Sequence, residues 1–258
     1  MKITSPIFLQ QAGRAGKTPF AGIKVLFPYA NPIIGSVSGN GDITVTSVKN
    51  GEKISNTYSN PSSLTVSVRA DANTWVIITG EITSFNCANY YVEKIIAYNN
   101  TALTSLDCSN CPGLTALDLS TNTALTDLNC SDCPGLTALD LSTNTALTSL
   151  DCSDCPGLTA LDLSTNTALT SLSCYNCPGL TALDLSTNTA LTSLSCYNCP
   201  AIDSIKYGAE NENVAISIAS LITTNEALDG TVYTNSEGGF YSTIADAATA
   251  AGWTIAQL

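Results

Sequence analysis

The chain has 258 residues, 44% of them hydrophobic and only 12% charged, which is enough apolar surface for a packed core and excludes a disordered chain. Its formal charge is −12 and it has no histidine, so the commonest general base and commonest metal ligand are both missing, against serine-hydrolase, cysteine-protease and most zinc-hydrolase chemistry. The charge is uneven: residues 1–80 hold seven basic and three acidic residues, whereas no Lys or Arg occurs from Ile95 to Ile205, so the middle repels nucleic acid and anionic membranes.

No run approaches the roughly 18 to 20 apolar residues of a membrane helix. The opening MKITSPIFLQQAGRAG has no continuous apolar stretch, so neither anchor nor signal peptide is expected. In chain order, residues 1–20 read as an extended arm of mixed basic and apolar residues suited to docking on a partner. Alternating segments follow, GIKVLF at 22–27, DITVTSV at 42–48, SLTVSVR at 63–69 and TWVIIT at 74–79, separated by Gly, Asn, Pro and Ser. Residues 1–80 are expected to form a small β domain that caps the first repeat, with Trp75 over its open core, or attaches the chain to something else.

From Leu103 the unit LTSLDCSNCPGLTALDLSTNTA recurs at Leu125, Leu147 and Leu169, and its first half again at Leu191, a period of 22 residues. A worn copy precedes it from Ile82 to Ala102, and a worn half follows from Ala201. Each unit splits into two halves of 11 residues that both read L-x-x-L-x-L-x-x-N, once Cys108 is matched to Leu119 and Cys111 to Asn122. In the L-x-L segment side chains alternate with period two, so Leu117 and Leu119 face a core and Asp118 faces solvent. Each half is then a short strand, and the sequence predicts a flattened coil with two parallel sheets on opposite faces. At about 4.8 Å per coil, six coils make a rod about 29 Å long.

This doubled motif resembles the nested leucine-rich repeats (the IRREKO class) frequent in gut bacteria of the Bacteroides group and in their phages, over residues 82–207. The expected fold is mainly β: a leucine-rich-repeat β-solenoid over 81–207, with the small β domain over 1–80 and an α/β cap over 208–258. In that cap, NVAISIASLITTN (213–225) reads as a helix and DGTVYT (229–234) as a turn and strand. FYSTIADAATAAG (240–252) reads as a helix closed by Gly252, and WTIAQL as a last strand. The tail resembles closing segments of phage-encoded repeat proteins.

Cys108, Cys111, Cys130 and Cys133 spell C-x2-C-x18-C-x2-C, a zinc-site spacing, but their period is that of the coil. The first cysteine of each pair (Cys108, Cys130, Cys152, Cys174, Cys196) fills a Leu slot, and the second (Cys111, Cys133, Cys155, Cys177, Cys199) fills the Asn slot. Both are read as buried, reduced ladders of small hydrophobes with a weak donor, and no metal site is assigned. Asn122, Asn144, Asn166 and Asn188 are expected to point inward and bond turn backbone. Asp118, Asp140, Asp162 and Asp184 form an exposed column beside Thr115, Thr137, Thr159 and Thr181. That column reads as a solvated binding face; calcium is the cation its oxygens would take. Four equivalent carboxylates supply no distinct acid and base, so no catalytic residue is assigned.

The functional expectation is a non-enzymatic structural or interaction protein presenting a rigid surface. Its first form is a virion component, a head decoration or tail fibre attached to other virion proteins through residues 1–80. The alternative is a bacterial adhesin, or a cytoplasmic or cell-surface module binding protein or glycan. No cofactor, nucleic acid or membrane is expected as a partner, and self-association is left open.

Overall fold

The computed structural model describes residues 22–28, 33–67, 72–207, 212–224, 231–234 and 241–257; the arm expected over residues 1–20 lies outside them. The N-terminal strands are β1 (Gly22–Phe27), β2 (Ile33–Lys49), β3 (Glu52–Ser59), β4 (Leu64–Ser67) and β5 (Thr74–Asn86). β2 runs antiparallel to β5 on one edge and to β4 and β3 on the other. The β2–β3 hairpin turns at Asn50 (φ 52°) and Gly51 (φ 79°), the two left-handed positions of a type I′ loop. β3 lay outside the expected strands because EKISNTYS is exposed on both faces and carries no apolar alternation.

β5 turns this unit into a solenoid. Its first half pairs antiparallel with β1, and its end, from Ser84 to Asn86, pairs in parallel with the first repeat strand. β1 also pairs antiparallel with β6 (Lys94–Tyr98), so it lies across the end of the stack and joins its two faces. Ile23, Val25, Phe27, Val76 and Ile78 are buried there. Trp75 occupies the opposite phase of β5 and is half-buried, so the expectation that it covers the core is corrected: Val76 and Ile78 do so.

The repeat strands are β7 (Ser105–Asp107), β8 (Ala116–Asp118), β9 (Asp127–Asn129), β10 (Ser149–Asp151), β11 (Ser171–Ser173), β12 (Ala182–Leu185), β13 (Ser193–Ser195) and β14 (Ser204–Tyr207). On the cysteine face β5, β7, β9, β10, β11 and β13 form an unbroken parallel ladder, with Leu106, Leu128, Leu150, Leu172 and Leu194 in register. On the other face β6 pairs with β8 and β12 with β14, but residues 138–140 and 160–162 between them are not strands. The second expected sheet is therefore interrupted over two coils. Leu141 and Leu163 still stay buried at 1%, because the inward Leu and Asn columns close the coil without those interstrand bonds.

The cap comprises α1 (Glu212–Thr224), β15 (Thr231–Thr234), α2 (Tyr241–Ala251) and β16 (Thr254–Gln257). β12, β14, β15 and β16 form one parallel sheet, so the cap carries the second face onward while helices replace the cysteine half of the coil. α1 closes the open end of the cysteine face: Ser217 Oγ donates to the Leu194 carbonyl at 2.6 Å, and Val214, Ile218, Leu221 and Ile222 are buried. Gly252, at φ 77°, ends α2 in the left-handed conformation of a helix C-cap. The described residues thus form a mainly β solenoid of 22-residue coils, with the helices α1 and α2 at its C-terminal end.

Candidate functional site

The inner side of each coil is built from two interchangeable corners. Asn144 Nδ2 donates to the carbonyls of Leu119 at 3.1 Å and Asn122 at 2.8 Å, and Asn166 and Asn188 repeat the pattern one coil on. Asn122 donates in the same way to the Asn100 carbonyl at 2.8 Å. In the other half the second cysteine takes this role. Sγ of Cys133, Cys155, Cys177 and Cys199 donates to the carbonyls of Cys108, Cys130, Cys152 and Cys174 at 3.1–3.3 Å, 25 residues back, the separation seen from Asn144 to Leu119. Cys111 reaches the Cys87 carbonyl at 3.2 Å. An amide has two hydrogens and serves two carbonyls; a thiol has one and serves one.

All ten repeat cysteines are at most 1% exposed. Burial pushes Cys108, Cys130, Cys152 and Cys174 far above the usual thiol range, Cys155 up to about 11, and Cys133 and Cys196 up to about 12. These raised thiols, held protonated, are neither nucleophiles nor metal ligands at neutral pH, whereas side-chain hydrogen bonds with Cys87 and Cys199 lower Cys111 and Cys177. Among the described residues no three His, Cys, Asp or Glu side chains converge as a metal-binding set.

The outer columns lie on the second face. Asp118, Asp140, Asp162 and Asp184 are exposed, and each Oδ1 accepts the backbone N–H of the serine two residues on, at 2.9–3.1 Å. Side-chain and then backbone bonds from Ser142 and Ser164 hold the Asp140 and Asp162 carboxyls below the usual carboxylate range. Desolvation raises Asp184, but the bonds from Ser186 and Lys206 together outweigh it, and Lys206 Nζ sits 2.9 Å from its Oδ2. Thr115, Thr137, Thr159 and Thr181 are exposed at the entry to the same segments. One oxygen of each carboxylate is therefore committed to its own turn; the other is presented at coil spacing in Asp118, Asp140 and Asp162, and is paired with Lys206 in Asp184.

Three further columns escaped the sequence reading. The hydroxyls of Thr104, Thr126, Thr148, Thr170 and Thr192 each donate to a Thr carbonyl one coil back, at 2.9–3.2 Å. Asn110, Asp132, Asp154, Asn176 and Asn198 all adopt left-handed backbone, φ 50–57°, a position where short polar side chains are favoured. Tyr175 and Tyr197 stack, with centroids 4.8 Å apart and planes 5° from parallel. The signal for the left-handed column was the invariable Asn or Asp before each Cys-Pro; that for the tyrosines was a difference between consecutive copies.

No family model and no curated protein matches the chain. Among solved structures it is similar to the functional domain of InlJ from Listeria monocytogenes, described as including a cysteine ladder. Identity is 23%, the TM-score is 0.25, and the match covers 65% of this chain and 52% of that one, about half the neighbour's length.

Proposed function

We propose that the chain is a display rod: a non-enzymatic interaction protein that presents repeated polar columns, working as a virion component, a head decoration or tail fibre held through residues 1–80. The observation that carries this reading is the division of labour in the coil. Every ladder cysteine and asparagine is buried, while Asp and Thr recur outside at one coil spacing. Equivalent exposed groups on an open face offer many weak contacts that add by avidity; catalysis needs a few inequivalent ones gathered in a cleft. Eleven free, buried thiols suit a chain that folds in a reducing cytoplasm, where particles assemble, better than one exported through an oxidising compartment.

The second reading, a bacterial adhesin or glycan-binding module, is favoured by the stacked tyrosine pair, whose outer ring, Tyr197, is exposed. Peptide mass spectrometry across a density gradient of the source culture separates the two. Co-migration with virus-sized particles supports the virion reading. Signal confined to the cell envelope or cytosol removes it and leaves the adhesin or binding module.

A further inference from the structure

The last two coils of the cysteine face depart from the others in a coordinated way. Between the copies that begin at Leu147 and Leu169, three of 22 residues change: Ser173 stands where the earlier copy has Asp151, Tyr175 where it has Ser153, and Asn176 where it has Asp154. The half-copy that follows keeps all three, as Ser195, Tyr197 and Asn198. In the earlier coils Asp107, Asn129 and Asp151 each accept both the backbone N–H and the hydroxyl of Ser109, Ser131 and Ser153, closing a local turn. The last two coils give up that turn and both carboxylates. They gain a pair of stacked rings, with Tyr197 left 47% exposed. Packing alone is a poor reason for this exchange, since local hydrogen bonds are traded for a large apolar surface facing water.

Along the same corner runs an open groove of about 430 Å³, lined by Asn or Asp and Pro pairs from Asp132 and Pro134 to Asn198 and Pro200. One end is acidic, at Asp132 and Asp154; the other is neutral, at Asn176 and Asn198. The left-handed backbone fixes these side chains, and they bond along the rod: Asn176 Nδ2 donates to Asp154 Oδ1 at 2.7 Å, and Asn198 Nδ2 donates to Asn176 Oδ1. These bonds use one hydrogen of each amide. The second hydrogens, Asn198 Oδ1 and both phenol hydroxyls face no bonding partner among the described residues.

The neutral end of the groove thus offers amide donors and acceptors and no formal charge, and the exposed ring of Tyr197, stacked on Tyr175, directly precedes Asn198 in the chain. Those are complementary to a pyranose ring, whose C–H faces lie on aromatic rings and whose hydroxyls pair with amides. We infer that the corner formed by Tyr175, Asn176, Tyr197 and Asn198 binds a neutral glycan, with Tyr197 as its platform. This rests on the display reading and names what the displayed surface takes. Acidic glycans are disfavoured by Asp132, Asp154 and the net charge of −12. A proline-rich peptide is the competing occupant, since exposed aromatic rings also take such segments.

The test is native electrophoresis of the full chain through gels containing β-glucan, α-mannan or amylopectin, with polygalacturonate as the charged comparison and a deca-proline peptide assayed by fluorescence anisotropy. The informative variant carries Ser173→Asp, Tyr175→Ser, Ser195→Asp and Tyr197→Ser, which gives the last coils the corner that Asp151 and Ser153 already fold in this rod. We expect at least one neutral polysaccharide to retard the native chain. Tyr197→Ala should weaken that binding about tenfold or more, and the fourfold variant should abolish it while its melting temperature stays within a few degrees. Retardation by no neutral polysaccharide, equal retardation of the fourfold variant, or a preference for the proline peptide or polygalacturonate overturns the site. The density gradient decides separately whether the display reading stands.

Discussion

Replacing Asn144 with alanine probes the equivalence of the two coil corners. The change removes two hydrogen bonds, to Leu119 O and Asn122 O. Neither carbonyl becomes an orphan, because Asn122 N–H still reaches the first and Leu125 N–H the second. The loss is therefore that of two ordinary bonds, about 2 kcal/mol. The space left behind costs about 1 kcal/mol more. Removal of Asn144 Oδ1, which has no partner in its buried corner, returns about 1 kcal/mol. The net cost is about 2 kcal/mol. Asn144→Cys should cost about half as much, since a thiol there can keep the bond 25 residues back, as Cys133 does to Cys108. Urea unfolding followed by circular dichroism, with hydrogen exchange reporting the coils on either side, measures both variants. A cysteine variant as damaged as the alanine variant, or an alanine variant within about 0.5 kcal/mol of the native chain, refutes the equivalence.

Three other outcomes follow from the same geometry. Iodoacetamide should label no repeat cysteine in the native chain and all of them in denaturant, and metal analysis should find far less than one zinc per chain; stoichiometric zinc contradicts the ladder reading. The raised thiols hold their protons in the folded chain where the unfolded chain releases them. Their stabilisation is thus full below about pH 9, the ordinary thiol range, and is lost as pH climbs towards 11 to 12, which a series of alkaline melts measures. The lowered carboxyls of Asp140 and Asp162 act in the opposite sense: their contribution is present above about pH 4 and lost as pH falls further, so an acid titration of the melting temperature should fall only there. Chelation should leave that temperature unchanged at neutral pH, because each aspartate of the column already spends one oxygen on its own serine; a drop identifies a bound calcium.

The inner columns were legible because the chain contains its own alignment. Overlaying the two halves places Cys111 on Asn122, and the bonds 25 residues back show what the slot requires. The interrupted second sheet was not legible, for the segment TALDL is identical in every coil. β8 is a strand because β1 and β6 anchor it, and β12 because β14 and the cap do; the same residues at 138–140 and 160–162 lack such neighbours. Trp75 was misplaced because which residues of β5 face the core depends on its register with β1. The tyrosine pair was visible in principle, but only as a difference between copies, and attention to what repeats passes over what does not.

Excising one whole coil, residues 147–168, tests most directly that this is a stack of interchangeable modules with its function on the outside. The deletion joins Ala146 to Leu169 in phase and lets Cys177 donate to Cys130 O in place of Cys152 O. Small-angle scattering should show a folded rod shorter by about 4.8 Å, with both ends and the tyrosine corner intact. A chain that unfolds, or that keeps its full length, contradicts the account.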